Sequence, residues 1–182
     1  GHYPWLNSSV VNQDEISESD QFVTALALKE CHLPIIKPPA ILVGITGQGR
    51  TRGMAATLMF EATINQHVVY VKPNEAIVNI AFLRRFFDKS YSDLRTDSDW
   101  AGSTKGAITC EQIENLVISL PSLLEQAAIV TYLDKKTAQL DTLKAEAQRG
   151  IELLKERRSA FISAAVTGKI DVRHAMTEQV AT

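Results

Sequence analysis

Proline divides this chain. All six prolines (Pro4, Pro34, Pro38, Pro39, Pro73 and Pro121) lie within the first 121 of 182 residues, and none follows. A proline inside a helix removes a backbone donor and clashes with the preceding turn. Only the stretch beyond Pro121 is therefore open to a long uninterrupted helix. Glycine divides in the same way: four of nine fall between Gly44 and Gly53, and only Gly150 and Gly168 come after Pro121. The charge balance shifts there too, from 10 Lys+Arg against 13 Asp+Glu in residues 1–120 to 9 against 8 in residues 121–182. The chain reads as a mixed α/β globule over 1–120, followed by a helical region with a C-terminal tail over 121–182.

The second part opens with Ser122-x-x-Glu125, a capping-box pattern. Leu133, Leu140, Ala147, Leu154 and Phe161 then recur every seven residues. The companion seam of Ile129, Lys136, Leu143, Gly150, Arg157 and Ala164 is half apolar, and Val130 and Ile151 widen the stripe. A helix from Ser122 to Ala165 would run roughly 66 Å at about 1.5 Å per residue. A compact globule of residues 1–120 would be only about 35 Å across. The stripe is therefore expected to need a second helix, from another copy or from a missing part of the same protein, in a coiled coil. Ile129, Leu133, Leu140, Leu143, Leu154 and Phe161 are the expected dimer contacts. The alternative is two shorter antiparallel helices broken at Gly150, because glycine inside a helix costs about 1 kcal/mol.

In the first part, Ser19 is expected to cap a helix from about Asp20 to Cys31, with Phe22, Ala25 and Leu26 on one face. Ala40–Ile45 is a continuous apolar run and predicts a buried strand. Met54–Phe60 and His67–Val71 predict further strands. Ile77, Ile80, Leu83 and Phe87 predict a helix over 77–87. Thr109-x-x-Gln112 predicts a capped short helix, and Leu116–Leu120 a strand. The fold class expected is α+β, a mixed globule followed by a long α-helix. A hydrophobic fraction of 45% and a charged fraction of 22% fit a globular chain. No apolar run reaches the roughly 18 residues of a membrane span, so no membrane partner is expected. No secretory signal is read. Two cysteines, Cys31 and Cys110, suit a reducing compartment, and a cytoplasmic location is expected. A net charge of −2 argues against a generic polybasic nucleic-acid binder.

The loop Gly44-Ile-Thr-Gly-Gln-Gly49-Arg50-Thr51 approaches the phosphate-binding pattern GxxxxGK[ST], with Arg50 in place of lysine. No apolar strand ending in aspartate follows to hold magnesium. Two other readings stand beside nucleotide binding. One is a tight turn that uses the glycines for positive φ. The other is a ligand-facing loop that offers Thr46, Gln48, Arg50 and Arg52, since arginine and glutamine suit guanine and adenine edges. The polar loop from Trp100 to Gly106, with Ser103, Thr104 and Lys105, has similar chemistry. The four histidines show no metal spacing. His67, in an apolar strand pattern, reads as a core or supporting residue. No catalytic set, metal site or cofactor is expected.

Leu120-Pro-Ser-Leu-Leu-Glu-Gln-Ala-Ala-Ile-Val-Thr-Tyr-Leu-Asp134 resembles the start of the helical spacer in specificity subunits of type I restriction–modification enzymes. Ile151-Glu-Leu-Leu-Lys-Glu-Arg-Arg-Ser-Ala160 and Ser163-Ala-Ala-Val-Thr-Gly-Lys-Ile-Asp171 resemble its later part. Thr46-Gly-Gln-Gly-Arg-Thr-Arg-Gly53, Ile64-Asn-Gln-His67 and Gly102-Ser-Thr-Lys-Gly106 resemble a target recognition domain of that family. Ser122 stands where the family pattern has a second proline. The resemblance implies a non-catalytic subunit that reads one half of a bipartite double-stranded DNA target for modification (methyltransferase) and restriction subunits. Thr46, Gln48, Arg50, Arg52, Ser103, Thr104 and Lys105 are the expected DNA contacts, chosen from loop chemistry. A full subunit of this kind carries two recognition domains and two spacers that pack antiparallel, so the resemblance implies an antiparallel coiled coil for this helix. The chain, with one of each and a start at Tyr3-Pro-Trp-Leu-Asn7 that resembles a point inside the domain, is expected to be a fragment or half-subunit that dimerises. The competing function is a coiled-coil dimerisation or regulatory module without DNA binding of its own.

Overall fold

The structure, a computed structural model, describes residues 1–47, 49–100 and 106–171. Within them the elements run β1 (Tyr3–Leu6), β2 (Glu15–Ile16), β3 (Phe22–Val23), α1 (Ala25–Glu30), β4 (Ala40–Gly44), β5 (Ala55–Leu58), β6 (Thr63–Ile64), β7 (Val68–Val71), α2 (Ile80–Trp100), α3 (Cys110–Glu114) and α4 (Leu123–Val166). This is the expected α+β order ending in a long helix.

β4 is buried along its whole length, as its unbroken apolar run predicts. A strand sends successive side chains to opposite faces, and each face of β4 has its own core. Ala40 and Leu42 join Leu6, Val11, Ile16, Leu58 and Ile64 on one side. Ile41 and Val43 join Leu83, Phe87, Leu94 and Ile108 on the other. β4 pairs antiparallel with β5 and β7, and β2 adds parallel to β5, in the order β2-β5-β4-β7. A second sheet runs β3-β1-β6, antiparallel on one side of β1 and parallel on the other.

Three local expectations are corrected. The helix expected from Asp20 shortens to α1, because Phe22 and Val23 pair with β1 instead. Its cap is Thr24, whose hydroxyl accepts from the Ala27 amide at 3.1 Å, while Ser19 bonds the Gln21 carbonyl. The helix expected over 77–87 begins at Ile80 and runs to Trp100. Asn79 caps it, accepting from the amides of Ala81 and Phe82 at 2.9 and 3.1 Å. Its buried stripe is Leu83, Phe87, Ser90, Leu94 and Ser98. Residues 116–120 form no strand. Leu116 and Ile118 pack on the second core while Val117 is exposed, an extended segment with alternating burial and no ladder.

Capping is as predicted at α3, where Thr109 and Gln112 bond each other's backbone reciprocally. α4 is one helix of 44 residues and passes through Gly150 without a break, which removes the two-helix alternative. At its start, Glu125 Oε2 accepts from the Ser122 amide at 2.9 Å and from the Ser122 hydroxyl at 2.7 Å. The Ser122 hydroxyl accepts in turn from the Glu125 amide at 3.3 Å. These bonds, the side-chain one foremost, hold the Glu125 carboxyl below its ordinary range. The unfolded chain lacks them, so the box stabilises the helix start above the ordinary carboxylate pKa and is lost as pH falls through the lowered folded value. An NMR titration should find Glu125 below the usual glutamate range, and Ser122→Ala should bring it part of the way back, since the backbone bond stays. An unshifted Glu125 in the unmutated chain would remove the box.

Gln126, one residue on, is fully buried. Its Oε1 accepts from the Asn79 amide at 2.8 Å, and its Nε2 donates to the carbonyls of Ile77 and Pro121 at 2.9 and 2.8 Å. One side chain thus ties the first turn of α4 to the entrance of α2. The chain divides into two compact units, Gly1–Thr131 and Tyr132–Thr182, so these first turns belong with the globule. No helix of the described residues is long and apolar enough to cross a membrane.

Candidate nucleic-acid interface

The glycine loop is the connection of a β-hairpin. It leaves the end of β4 and returns into antiparallel β5, with the Gly44 amide bonded to the Met54 carbonyl at 2.9 Å and the Gly53 amide to the Gly44 carbonyl at 2.8 Å. A phosphate-binding P-loop needs a helix to follow, because the helix N-terminus presents the amides and the positive dipole end. Here a strand follows, so the nucleotide reading loses its physical basis. Glycine is required at Gly44 by close approach: a Cβ there would lie 2.6 Å from the Thr51 carbonyl oxygen. Gly53 takes φ +85° and packs against Tyr91 and Arg95.

α2 holds this loop by its main chain. The Tyr91 hydroxyl donates to the Arg50 carbonyl at 2.8 Å. Arg95 Nη1 donates to the carbonyls of Gly49 at 2.7 Å and Arg52 at 3.1 Å. The Arg95 guanidinium lies 5.4 Å from the centre of the Tyr91 ring, which aligns both groups. Three loop carbonyls are thus fixed by two side chains one helical turn apart. The Arg50 side chain is left exposed and borders a cleft of about 290 Å³ with Arg84, Asp88 and Tyr91. Arg84 is buried and ion-paired with Asp88 and, at 3.0 Å, with Asp14.

The expected contact residues separate. Arg50 is exposed, whereas Arg52 is only 4% exposed, so its side chain is not offered to a ligand. Thr46 is half-buried and its Oγ1 lies 2.9 Å from His67 Nδ1. Gln48, Ser103, Thr104 and Lys105 lie outside the described residues. The chain emerging from that second loop returns beside the first, since the Ile108 amide bonds the Ile45 carbonyl at 2.9 Å. His67 is exposed, so of its two expected parts, core or supporting residue, the core one is corrected, and its bond to Thr46 remains. Sequence reasoning missed Tyr91 and Arg95. Their only signal is a tyrosine and an arginine four residues apart in a segment not read as helix. On α4, Leu133 is half-buried, and Ile129, Leu140, Leu143, Leu154 and Phe161 are exposed.

Residues 1–153 match the family model described as type I restriction modification DNA specificity domain. The chain belongs to this family. It is 28% identical over 173 residues to the type I restriction enzyme StySPI specificity subunit of Salmonella potsdam, covering 93% of this chain and 37% of that protein. It is 22% identical over 154 residues to the EcoR124I/EcoR124II specificity subunit of Escherichia coli, covering 84% and 38%. Among solved structures, the HsdS subunit from Thermoanaerobacter tengcongensis aligns with a TM-score of 0.60 at 20% identity, over 78% of this chain and 31% of that one. A chain from a study of complex assembly and conformational transition of the type I R-M system aligns with a TM-score of 0.65 at 21% identity, over 90% and 38%. The fold of the specificity-domain chain is therefore that of HsdS structures, and the chain spans 37% and 38% of the length of these two curated relatives.

Proposed function

We propose that the chain is a non-catalytic part of a type I specificity subunit, a fragment or a half-subunit, acting in the cytoplasm. In this reading the 1–120 domain reads one half of a bipartite double-stranded DNA target. The 121–182 spacer pairs with a second helix, and modification and restriction subunits supply the chemistry. The observation that carries the reading is the clamped glycine loop: α2 holds the backbone of residues 49–52 while Arg50 projects outward. A fixed backbone under an exposed guanidinium is what groove readout requires, since specificity needs a defined position and not charge alone. It also answers the acidic balance of the globule, because the reading cation is local.

The test reconstitutes the chain with a modification subunit and compares cognate with random duplexes. If Arg50 reads a guanine edge, Arg50→Ala should cost about 1–3 kcal/mol and relax selection at one base. If it touches phosphate, binding should weaken evenly and the salt slope should fall by about one unit. Arg52→Ala should lower stability without changing selection, because that side chain is buried. Unchanged binding by the Arg50 variant would remove the loop from the interface and leave the dimerisation-module reading.

A further inference from the structure

The turn between β6 and β7, Asn65-Gln66-His67, stands against the base of the glycine loop. The Ile45 amide donates to the His67 carbonyl at 3.0 Å, and the Asn65 side chain accepts from the His67 amide at 3.0 Å. Asn65 therefore shapes the turn internally, while Gln66 and His67 are exposed. The His67 ring reaches across to the neighbouring loop, with Nδ1 2.9 Å from Thr46 Oγ1. That contact orients the ring and leaves Nε2 as its second hydrogen-bonding position. The hydroxyl can donate or accept, and it is the donating case that fixes Nε2 as an N–H. When the Thr46 hydroxyl donates to Nδ1, the ring proton sits on Nε2. In the imidazolium, Nε2 carries a proton as well. In both states Nε2 is a donor, suited to the acceptors that DNA displays on phosphates and on purine edges.

We propose that His67 is a second DNA-contacting side chain of this domain, donating from Nε2 to a DNA acceptor, and that Thr46 is the positioning residue that holds its ring. This rests on the reading that the glycine loop faces DNA. It changes the expected part of Thr46, from a contact of its own to the support of a neighbour. It also assigns a function to a histidine that carries no metal or catalytic pattern.

The test selects binders from a randomised duplex library with the chain assembled with a modification subunit. Unmutated protein is compared with His67→Ala, His67→Gln, Thr46→Val, Thr46→Ser and Arg50→Ala. His67→Ala should weaken binding roughly two- to tenfold, the worth of one hydrogen bond. A base contact would flatten the selected sequence at one position, whereas a phosphate contact would leave the profile intact and lower affinity evenly. Thr46→Val, which keeps shape and removes the hydroxyl, should reproduce part of that loss, and Thr46→Ser should restore it. Imidazole nitrogen chemical shifts should report the Nε2–H form in the unmutated chain and a mixture of forms in Thr46→Val. Backbone amide shifts establish that each variant is folded, since the His67 backbone bonds do not involve its ring. Loss with Arg50→Ala but none with His67→Ala would overturn this proposal and leave the loop reading standing. No loss with either would remove both.

Discussion

Gly44→Ala is expected to destabilise the globule by about 1–3 kcal/mol, the usual cost of overpacking a closed site, and, under the proposed DNA-reading role, to abolish sequence selection by the loop. The added Cβ would sit 2.6 Å from the Thr51 carbonyl oxygen and 3.1 Å from a Val11 methyl. The oxygen is main chain and cannot rotate away, so the returning arm of the hairpin must shift. That arm carries the Arg50 and Arg52 carbonyls that Tyr91 and Arg95 hold. Displacement at Gly44 is thereby passed to the loop that presents Arg50. Gly49→Ala is the matched control. Among the described residues no atom lies within 4 Å of the place its methyl would take, and its φ is not in the positive region. It should change stability by no more than about 0.5 kcal/mol. Denaturant unfolding of the two variants measures the contrast. Equal stabilities would show that the hairpin closes less tightly than its geometry states.

Legibility in the sequence followed how many constraints met at one position. β4 was readable because a strand buried on both faces needs an unbroken apolar run, and Ala40–Gly44 supplies one. α4 was readable because the absence of proline, a capping box and a seven-residue repeat agree over the same stretch. The second half of α2 was not readable. Its buried stripe continues through Ser90, Leu94 and Ser98, and serines on an inner face hide the period that apolar residues would reveal. Leu116–Leu120 alternates as a strand does, but pairing depends on a neighbour that local pattern does not specify. The glycine loop was found by composition, yet which of its arginines faces out was not. Arg50 and Arg52 differ only by their place in a hairpin whose return path is set by α2. The loop clamp is invisible for the same reason: Tyr91 and Arg95 act on carbonyls more than 40 residues away in sequence.

The largest effect on assembly is expected from Leu140→Asp, which should convert a spacer-mediated dimer to monomer. Leu140, Leu143, Leu154 and Phe161 are each 60–66% exposed on α4. In a single helix a stripe of this kind keeps large apolar side chains in water, at about 25 cal/mol per Å² left uncovered. Covering the stripe with the same stripe of a second copy is the simplest relief, because the seven-residue repeat gives both helices the same seam. The half-polar companion seam, with Lys136 and Arg157, then sets register, since each cation must stay at the rim or meet a carboxylate. An aspartate at position 140 would be carried into the seam twice per dimer. A penalty of about 3 kcal/mol already raises the dissociation constant about a hundredfold, enough to dissolve a dimer at micromolar concentration. Leu124→Asp is the comparison, a residue 83% exposed on the same helix but outside the repeat, and it should leave assembly unchanged. Sedimentation of the unmutated chain as a monomer at micromolar concentration would instead assign the stripe to a helix of another subunit. In that case Leu140→Asp should disrupt assembly with that subunit.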